Sequence, residues 1–146
     1  MKILAIDPAE RTGWATSSGL FGMEHFKVKS GESVGFKLIR FKAFIDKIIK
    51  TEKIDIVVYE RAGGRFPAAN ISHGKFVAMI EIVCIENKVE FRAYSSGEIK
   101  KHATGSGSAK KPDMIKAAIR KFKKPIKDDN IADAMWLLDL AQKDLS

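Results

Sequence analysis

The sequence predicts an α/β domain built on a mixed five-stranded sheet that is flanked by helices. The first 30 residues contain three short strand-like segments separated by turn residues, as in an antiparallel meander. Two later apolar runs, rich in β-branched residues, alternate with longer helix-like segments, as the strands of a parallel sheet do. The length of 146 residues suits one domain, so we expect residues 1–146 to fold as a single unit.

The strands follow from short apolar runs between turn signals. We expect them at Lys2–Asp7, Thr12–Ser17, Phe21–Lys29, Ile54–Glu60 and Val89–Tyr94. The pair Ser18-Gly19 favours a tight turn between the second and third strands. Ile54–Glu60 is nearly all apolar, which is typical of a central parallel strand.

Helix-capping residues and glycine mark the remaining segments. We expect the helices to begin near Ser33, Asn70 or Ser72, Ser95 or Ser96, Pro112, and Asp128 or Asp129. The apolar stripe of the first helix is predicted to be Phe36, Ile39, Phe44, Ile45, Ile48 and Ile49. Glycine and serine in Thr104–Ser108 predict a mobile loop before the fourth helix.

Composition narrows the class of protein. Hydrophobic residues make up 45% and charged residues 30% of the chain, as in soluble globular proteins. We expect no membrane span, because no apolar run approaches the roughly 20 residues that a span needs. The N-terminus continues directly into a strand, and the single cysteine, Cys84, has no disulfide partner. We therefore expect a cytoplasmic protein that does not associate with membranes.

Positive charge is concentrated in one part of the chain. The net charge is +8, and the segment from Gly97 to Lys127 contains ten basic and two acidic residues. This one segment therefore carries the whole excess. A solvated helix face is the plain alternative, but an excess confined to one segment favours a polyanionic partner, in particular nucleic acid.

Four acids are placed where an α/β sheet would bring them together. Asp7 and Glu60 end strands, and ligands gather at the carboxyl ends of strands in such sheets. Asp129 and Asp133 lie four residues apart, on one face of the last helix. Taken alone, Asp7, Glu60 and Asp129 are explained by a turn, a surface position and a helix cap, whereas Asp133 lies within the helix beside apolar residues. Together they favour a site for Mg²⁺ or Mn²⁺, which prefer oxygen ligands.

These motifs, in this order, resemble the RuvC-type Holliday-junction resolvases, especially the phage-encoded branch. The resemblance covers nearly the whole chain and rests on Ile6-Asp7-Pro8, Glu60, the loop Ala103–Lys111 and Ala132-Asp133-Ala134. It implies a ribonuclease-H-like fold, a homodimer, and nicking of four-way or other branched DNA. It also implies two Mg²⁺ or Mn²⁺ ions per active site, and action in the cytoplasm of a bacterium or a phage-infected host.

The resemblance assigns the metal ligands residue by residue. Asp7, Glu60 and Asp133 match three ligands of the family. The fourth commonly lies three residues before the last aspartate, where this chain has Asn130. Asp129, one residue earlier, is the stronger ligand by charge. We favour Asp129 and keep Asn130 as the alternative.

The resemblance also assigns the DNA contacts. Lys111 matches a loop lysine near the scissile phosphate, where a cation stabilises the charge that develops or protonates the leaving oxygen. Phe66 occupies the region where resolvases insert an aromatic side chain at the junction centre. The expected DNA-binding residues are Arg61, Arg65, Phe66, Lys100, Lys101, Lys110 and Lys111.

The leading hypothesis is a metal-dependent, structure-selective endonuclease that nicks Holliday junctions and other branched DNA. One alternative keeps the fold but acts on flaps, forks or structured RNA. The other is a non-catalytic module that binds branched nucleic acid. The apolar helix Ser72–Asn87 is either fully buried or also forms a twofold interface, and the resemblance favours the interface.

Overall fold

The computed structural model describes residues 1–146 as five strands and five helices. In chain order they are β1 (Ile3–Asp7), β2 (Arg11–Thr16), β3 (Phe21–His25), α1 (Phe36–Glu52), β4 (Ile56–Glu60), α2 (Pro67–Asn87), β5 (Glu90–Tyr94), α3 (Ser96–Thr104), α4 (Lys111–Phe122) and α5 (Asp129–Asp144). The element order agrees with the sequence-based prediction.

The five strands form one mixed sheet in the order β3-β2-β1-β4-β5. β1 pairs antiparallel with β2, and β2 pairs antiparallel with β3. β1 and β4 are parallel, as are β4 and β5. The predicted mixed α/β fold is therefore confirmed, and the carboxyl ends of β1, β4 and β5 lie at one edge of the sheet.

Each face of the sheet has its own apolar core. Side chains alternate along a strand, so Ile3 and Ala5 of β1 point to one face while Leu4 and Ile6 point to the other. The first face is covered by α3, α4 and α5, and Trp136 lies buried there. The second face is covered by α1 and α2, with Cys84 buried as a free thiol. Two-sided burial explains the nearly continuous apolar runs of β1 and β4.

Two helices begin at other residues than the sequence predicted. α1 starts at Phe36 after Gly35, without a side-chain cap from Ser33. α2 starts at Pro67, which needs no hydrogen-bond partner for a backbone N–H at the first helical position. Asn70 does not cap α2; its side chain instead accepts from Gly64 N at 3.1 Å and donates to Gly64 O at 2.8 Å.

The predicted stripe of α1 is wrong at its N-terminal end. The buried residues are Phe41, Ile45, Ile48 and Ile49, which recur at helical spacing. Phe36 and Ile39 lie outside that stripe and are exposed. Only the C-terminal two-thirds of α1 therefore packs into the core.

α2 is longer than the sequence predicted and is strongly apolar. It has 21 residues, and an 18-residue window has a mean hydropathy of 1.3, which would suffice for a membrane span by length and composition. One of its faces, with Phe76, Ile80, Val83 and Cys84, is buried in the core of the domain. The opposite face exposes Ile71, Ile82 and Ile85.

Candidate active site

Two of the four predicted acids meet at the edge of the sheet. Asp7 is the last residue of β1 and Glu60 is the last residue of β4. The parallel register pairs Ile6 with Tyr59, so the next residues of the two strands are neighbours. The carboxyl group of Asp7 is buried beside that of Glu60, and its burial followed by the charge of Glu60 raises the pKa of Asp7.

The N-terminal end of α5 brings the other two acids to the same place. Burial, followed by the charges of Glu60 and Asp129, raises the pKa of Asp133 to about 7. Burial, then the charge of Glu60 and then that of Asp133, raises the pKa of Asp7 well above its ordinary value. The fold therefore brings together all four carboxylates that the sequence singled out.

This donor set fits a hard divalent cation. Four carboxyl groups share one half-buried site, where burial and then the neighbouring carboxylates make the ionised forms of Asp7 and Asp133 unfavourable. No three of these side chains already surround a single point at ligand distances. Ionised carboxylates repel one another, and a divalent cation bound between them would offset that repulsion and draw them together.

Asp129 and Asn130 differ in what surrounds them. Asp129 Oδ2 lies 3.4 Å from Lys111 Nζ, and the Asp129 charge raises the pKa of both Asp7 and Asp133. The backbone N–H of Asn130 donates to Asp128 Oδ1 at 2.7 Å, whereas its side chain makes no hydrogen bond. The assignment of Asp129 as the fourth ligand stays a prediction.

Lys111 and Lys100 approach the carboxylates from two helices. Lys111 is the first residue of α4, and its side chain is 80% exposed beside Asp129. Lys100 on α3 is half-buried, and the charges of both lysines partly offset the rise in the pKa of Asp133. Lys110 is exposed, and its backbone N–H donates to Asp113 Oδ2 at 3.2 Å. Of the two neighbouring lysines Lys110 and Lys111, Lys111 is therefore the one that faces the acids.

An open trough of about 470 Å³ extends from Glu60 along the ends of β4 and β5. Arg61 and Lys100 line it, and Arg61 Nη2 lies 3.4 Å from Glu98 Oε1. Sequence reasoning missed His73, whose Nε2 lies 2.6 Å from the backbone oxygen of Glu60 and ties α2 to the end of β4. No sequence signal could have indicated this contact, because it joins a helix side chain to a backbone oxygen at the end of a strand.

The remaining predicted DNA contacts are exposed but do not line this trough. Phe66 is 72% exposed immediately before α2, and Arg65 is exposed beside it. Lys101 is exposed on α3. The structure brings none of these three residues into contact with the carboxylates, and their roles stay predictions.

Comparison with known proteins gives consistent results. The family model of crossover junction endodeoxyribonuclease RuvC matches residues 3–138. No curated protein sequence matches the chain. Three of the similar solved structures are junction resolvases.

Thermus thermophilus RuvC in complex with Holliday junction substrate has a TM-score of 0.80 at 18% identity, covering 97% of this chain and 93% of that one. The yeast mitochondrial Holliday junction resolvase Ydc2 has a TM-score of 0.66 at 12% identity, covering 94% and 76%. Fowlpox virus resolvase with junction DNA has a TM-score of 0.56 at 15% identity, covering all of both chains.

At these identities the structural matches show the shared ribonuclease-H-like fold. The family model spans nearly the whole chain, including all four carboxylates and Lys111. The chain belongs to the crossover junction endodeoxyribonuclease RuvC family, and it is a junction-resolving endodeoxyribonuclease.

Proposed function

We propose that this nuclease nicks four-way DNA junctions with divalent cations held by Asp7, Glu60, Asp133 and Asp129. The observation that carries the proposal is the meeting of these four carboxylates at the sheet edge, where two of them have raised pKa values. When bound, Mg²⁺ or Mn²⁺ supplies an activated water and stabilises the leaving oxygen of the phosphodiester. The four carboxylates would hold and orient such cations at the sheet edge.

Lys111 is the protein group that acts on the phosphate. Its ammonium group lies at the border of the carboxylate cluster, and most of its side chain is free in solvent. From there it stabilises the negative charge that develops on the scissile phosphate or donates a proton to the leaving oxygen. An adjacent loop rich in glycine and serine, residues 104–108, lets the lysine adjust when DNA arrives.

Branched DNA is the proposed substrate because cations lie in the trough and beside the carboxylates. Arg61 and Lys100 line the trough, and Lys110 and Lys111 lie at the start of α4. Two of the similar structures are described as complexes with Holliday junction DNA, which supports the same substrate class. Phosphate contacts position such a substrate, and its branched shape supplies the selectivity.

A homodimer is the proposed assembly, because a junction is resolved by two nicks on opposing strands. The outer face of α2 offers the surface for it, since Ile71, Ala78, Ile82 and Ile85 are exposed at helical spacing. Exposed apolar stripes of this kind mark protein interfaces. Two active sites related by the twofold axis would then face two symmetric strands. Action in a bacterial or phage-infected cytoplasm also stays a prediction.

The test is cleavage of a synthetic four-way junction that is labelled in turn on each strand, with Mg²⁺ or Mn²⁺. Paired nicks in two opposing strands, with linear duplex of the same sequence left intact, are the expected result. Equal cleavage of flaps, forks and RNA hybrids would favour the broader nuclease. Junction binding without cleavage under either metal would leave only the binding module.

A further inference from the structure

The position of the first turn of α5 depends on an unusually close approach to β2. A Cβ atom added to Gly13 would lie 1.9 Å from the backbone oxygen of Asn130, 2.3 Å from its carbonyl carbon and 2.9 Å from Ile131 N. These three atoms belong to a single peptide group. The backbone of Gly13 does not have a positive φ, so glycine is required here by the contact and not by the conformation.

Asp128 caps the turn of α5 that contains this peptide group. Asp128 is the N-cap of α5, and its Oδ1 accepts hydrogen bonds from Asn130 N at 2.7 Å and from Ile131 N at 3.4 Å. Its backbone oxygen accepts from Ala132 N at 3.1 Å. The first turn of α5 is therefore capped by the carboxylate of Asp128, and its Asn130–Ile131 peptide lies against the strand backbone at Gly13.

This peptide lies between the two acids that α5 contributes to the site. Asp129 precedes it, and Asp133 follows within the next turn. Gly13 is also the register partner of Asp7 across the β1–β2 ladder. The contact thus joins the strand position opposite one acid to the helical turn that carries two others.

We propose that Gly13 and Asp128 are positioning residues that set the distance of Asp129 and Asp133 from Asp7 and thereby determine metal affinity. This inference rests on the proposed metal-dependent function. Moving a Cβ from 1.9 Å to an ordinary contact of 3.4 Å displaces α5 by about 1.5 Å. Functional constellations tolerate only about 0.5 Å, and Mg²⁺ demands nearly ideal ligand geometry.

The cap provides the cleaner test, because serine keeps the capping oxygen and loses the charge while alanine loses both. Asp128→Ala is expected to weaken Mn²⁺ binding about 10- to 100-fold by calorimetry, whereas Asp128→Ser stays within a few fold of the wild type. If Asp128→Ser loses as much affinity as Asp128→Ala, the charge of Asp128 matters rather than its cap, and the positioning role is overturned.

Gly13→Ala tests the close approach, with Ala15→Val as its matched control. Ala15 faces the same side of β2 but contacts α5 further along, in a cleft it shares with Met135 and Leu138. Both changes crowd the β2–α5 interface and lower the melting temperature. Only Gly13→Ala is expected to lose Mn²⁺ affinity, together with at least about 100-fold in the cleavage rate.

The outcomes separate the two proposals. Wild-type affinity for Mn²⁺ in both Asp128→Ala and Gly13→Ala would overturn the positioning role alone. Equal loss in Gly13→Ala and Ala15→Val would also overturn it, by showing a general effect of crowding. If Gly13→Ala does not fold, the pair of Asp128 variants decides. A wild-type protein that neither binds Mn²⁺ nor cleaves a junction would refute the proposed function itself.

Discussion

Removing one of the four charges should stabilise the protein when no metal is present. In the unfolded chain Asp133 has its ordinary pKa of 3.8, whereas in the folded protein its pKa is about 7. The folded state therefore binds this proton more tightly. The stability that the protonated form provides is complete below pH 3.8 and is lost as the pH rises through 7.

The magnitude follows from the two pKa values of Asp133. Each pKa unit is worth about 1.36 kcal/mol, so ionised Asp133 lowers the free energy of unfolding by up to about 4 kcal/mol at pH 8. Asp133→Asn keeps the shape and removes the charge. At roughly 2–4 °C per kcal/mol, its melting temperature in EDTA at pH 8 should rise by up to about 8–16 °C. At pH 4 the difference should fall below about 1 kcal/mol.

Thermal unfolding by circular dichroism in EDTA measures this difference, and Asp139→Asn on the same helix is the control. Burial alone would raise the pKa of Asp139, but hydrogen bonds from Lys121 and His102 outweigh it and leave the pKa below its ordinary value. Asp139→Asn should therefore destabilise the protein at pH 8. Adding Mn²⁺ should raise the melting temperature of the wild type more than that of Asp133→Asn. An Asp133→Asn variant no more stable than the wild type in EDTA at pH 8 would refute the argument.

Three further predictions follow from the surface of the protein. Lys111→Ala should lower the single-turnover cleavage rate about 100- to 1000-fold while junction binding in a gel-shift assay changes little; an unchanged rate would exclude its catalytic role. Ile82→Asp should convert the dimer to a monomer in size-exclusion chromatography with light scattering, because the twofold axis places each new charge near its copy. Ile119→Asp, at a similarly exposed position on α4, should leave the dimer intact, and loss of the dimer in both would argue against α2 as the interface. Replacing Lys100 and Lys101 together by glutamine should reduce the slope of the logarithm of junction affinity against the logarithm of salt concentration by the equivalent of about two phosphate contacts. An unaltered slope would show that these lysines do not belong to the DNA-binding surface.

The sheet and the carboxylates were predictable because they depend on local signals. Apolar runs indicate β1 and β4, and each run ends on an acid, so parallel pairing alone places Asp7 beside Glu60. The predicted cap at Asp128 or Asp129, which the structure places at Asp128, indicated the start of α5 and hence the face that carries Asp133. These inferences need only the periodicity of strands and helices and the chemistry of helix caps.

Contacts between distant segments were not predictable. Nothing near Gly13 in the sequence indicates that the peptide after Asn130 lies against it, because that contact depends on how α5 packs on the sheet. The sequence did not predict that α2 starts at Pro67, because Asn70 is of a residue type that commonly caps helices. In the structure the Asn70 side chain instead donates to Gly64 O in the loop before α2. Likewise, the sequence does not show which apolar face of α2 is buried and which is exposed, because that depends on tertiary packing.

The central claim is that divalent cations held by the four carboxylates perform the cleavage. Its most direct measurement is a single-turnover experiment in which the protein is first bound to a four-way junction in EDTA and Mn²⁺ in excess of the EDTA is then added. Wild-type protein should cleave only after the addition, and Asp7→Asn should bind the junction equally well and remain inactive. Cleavage in EDTA, or cleavage by Asp7→Asn at the wild-type rate, would contradict the account.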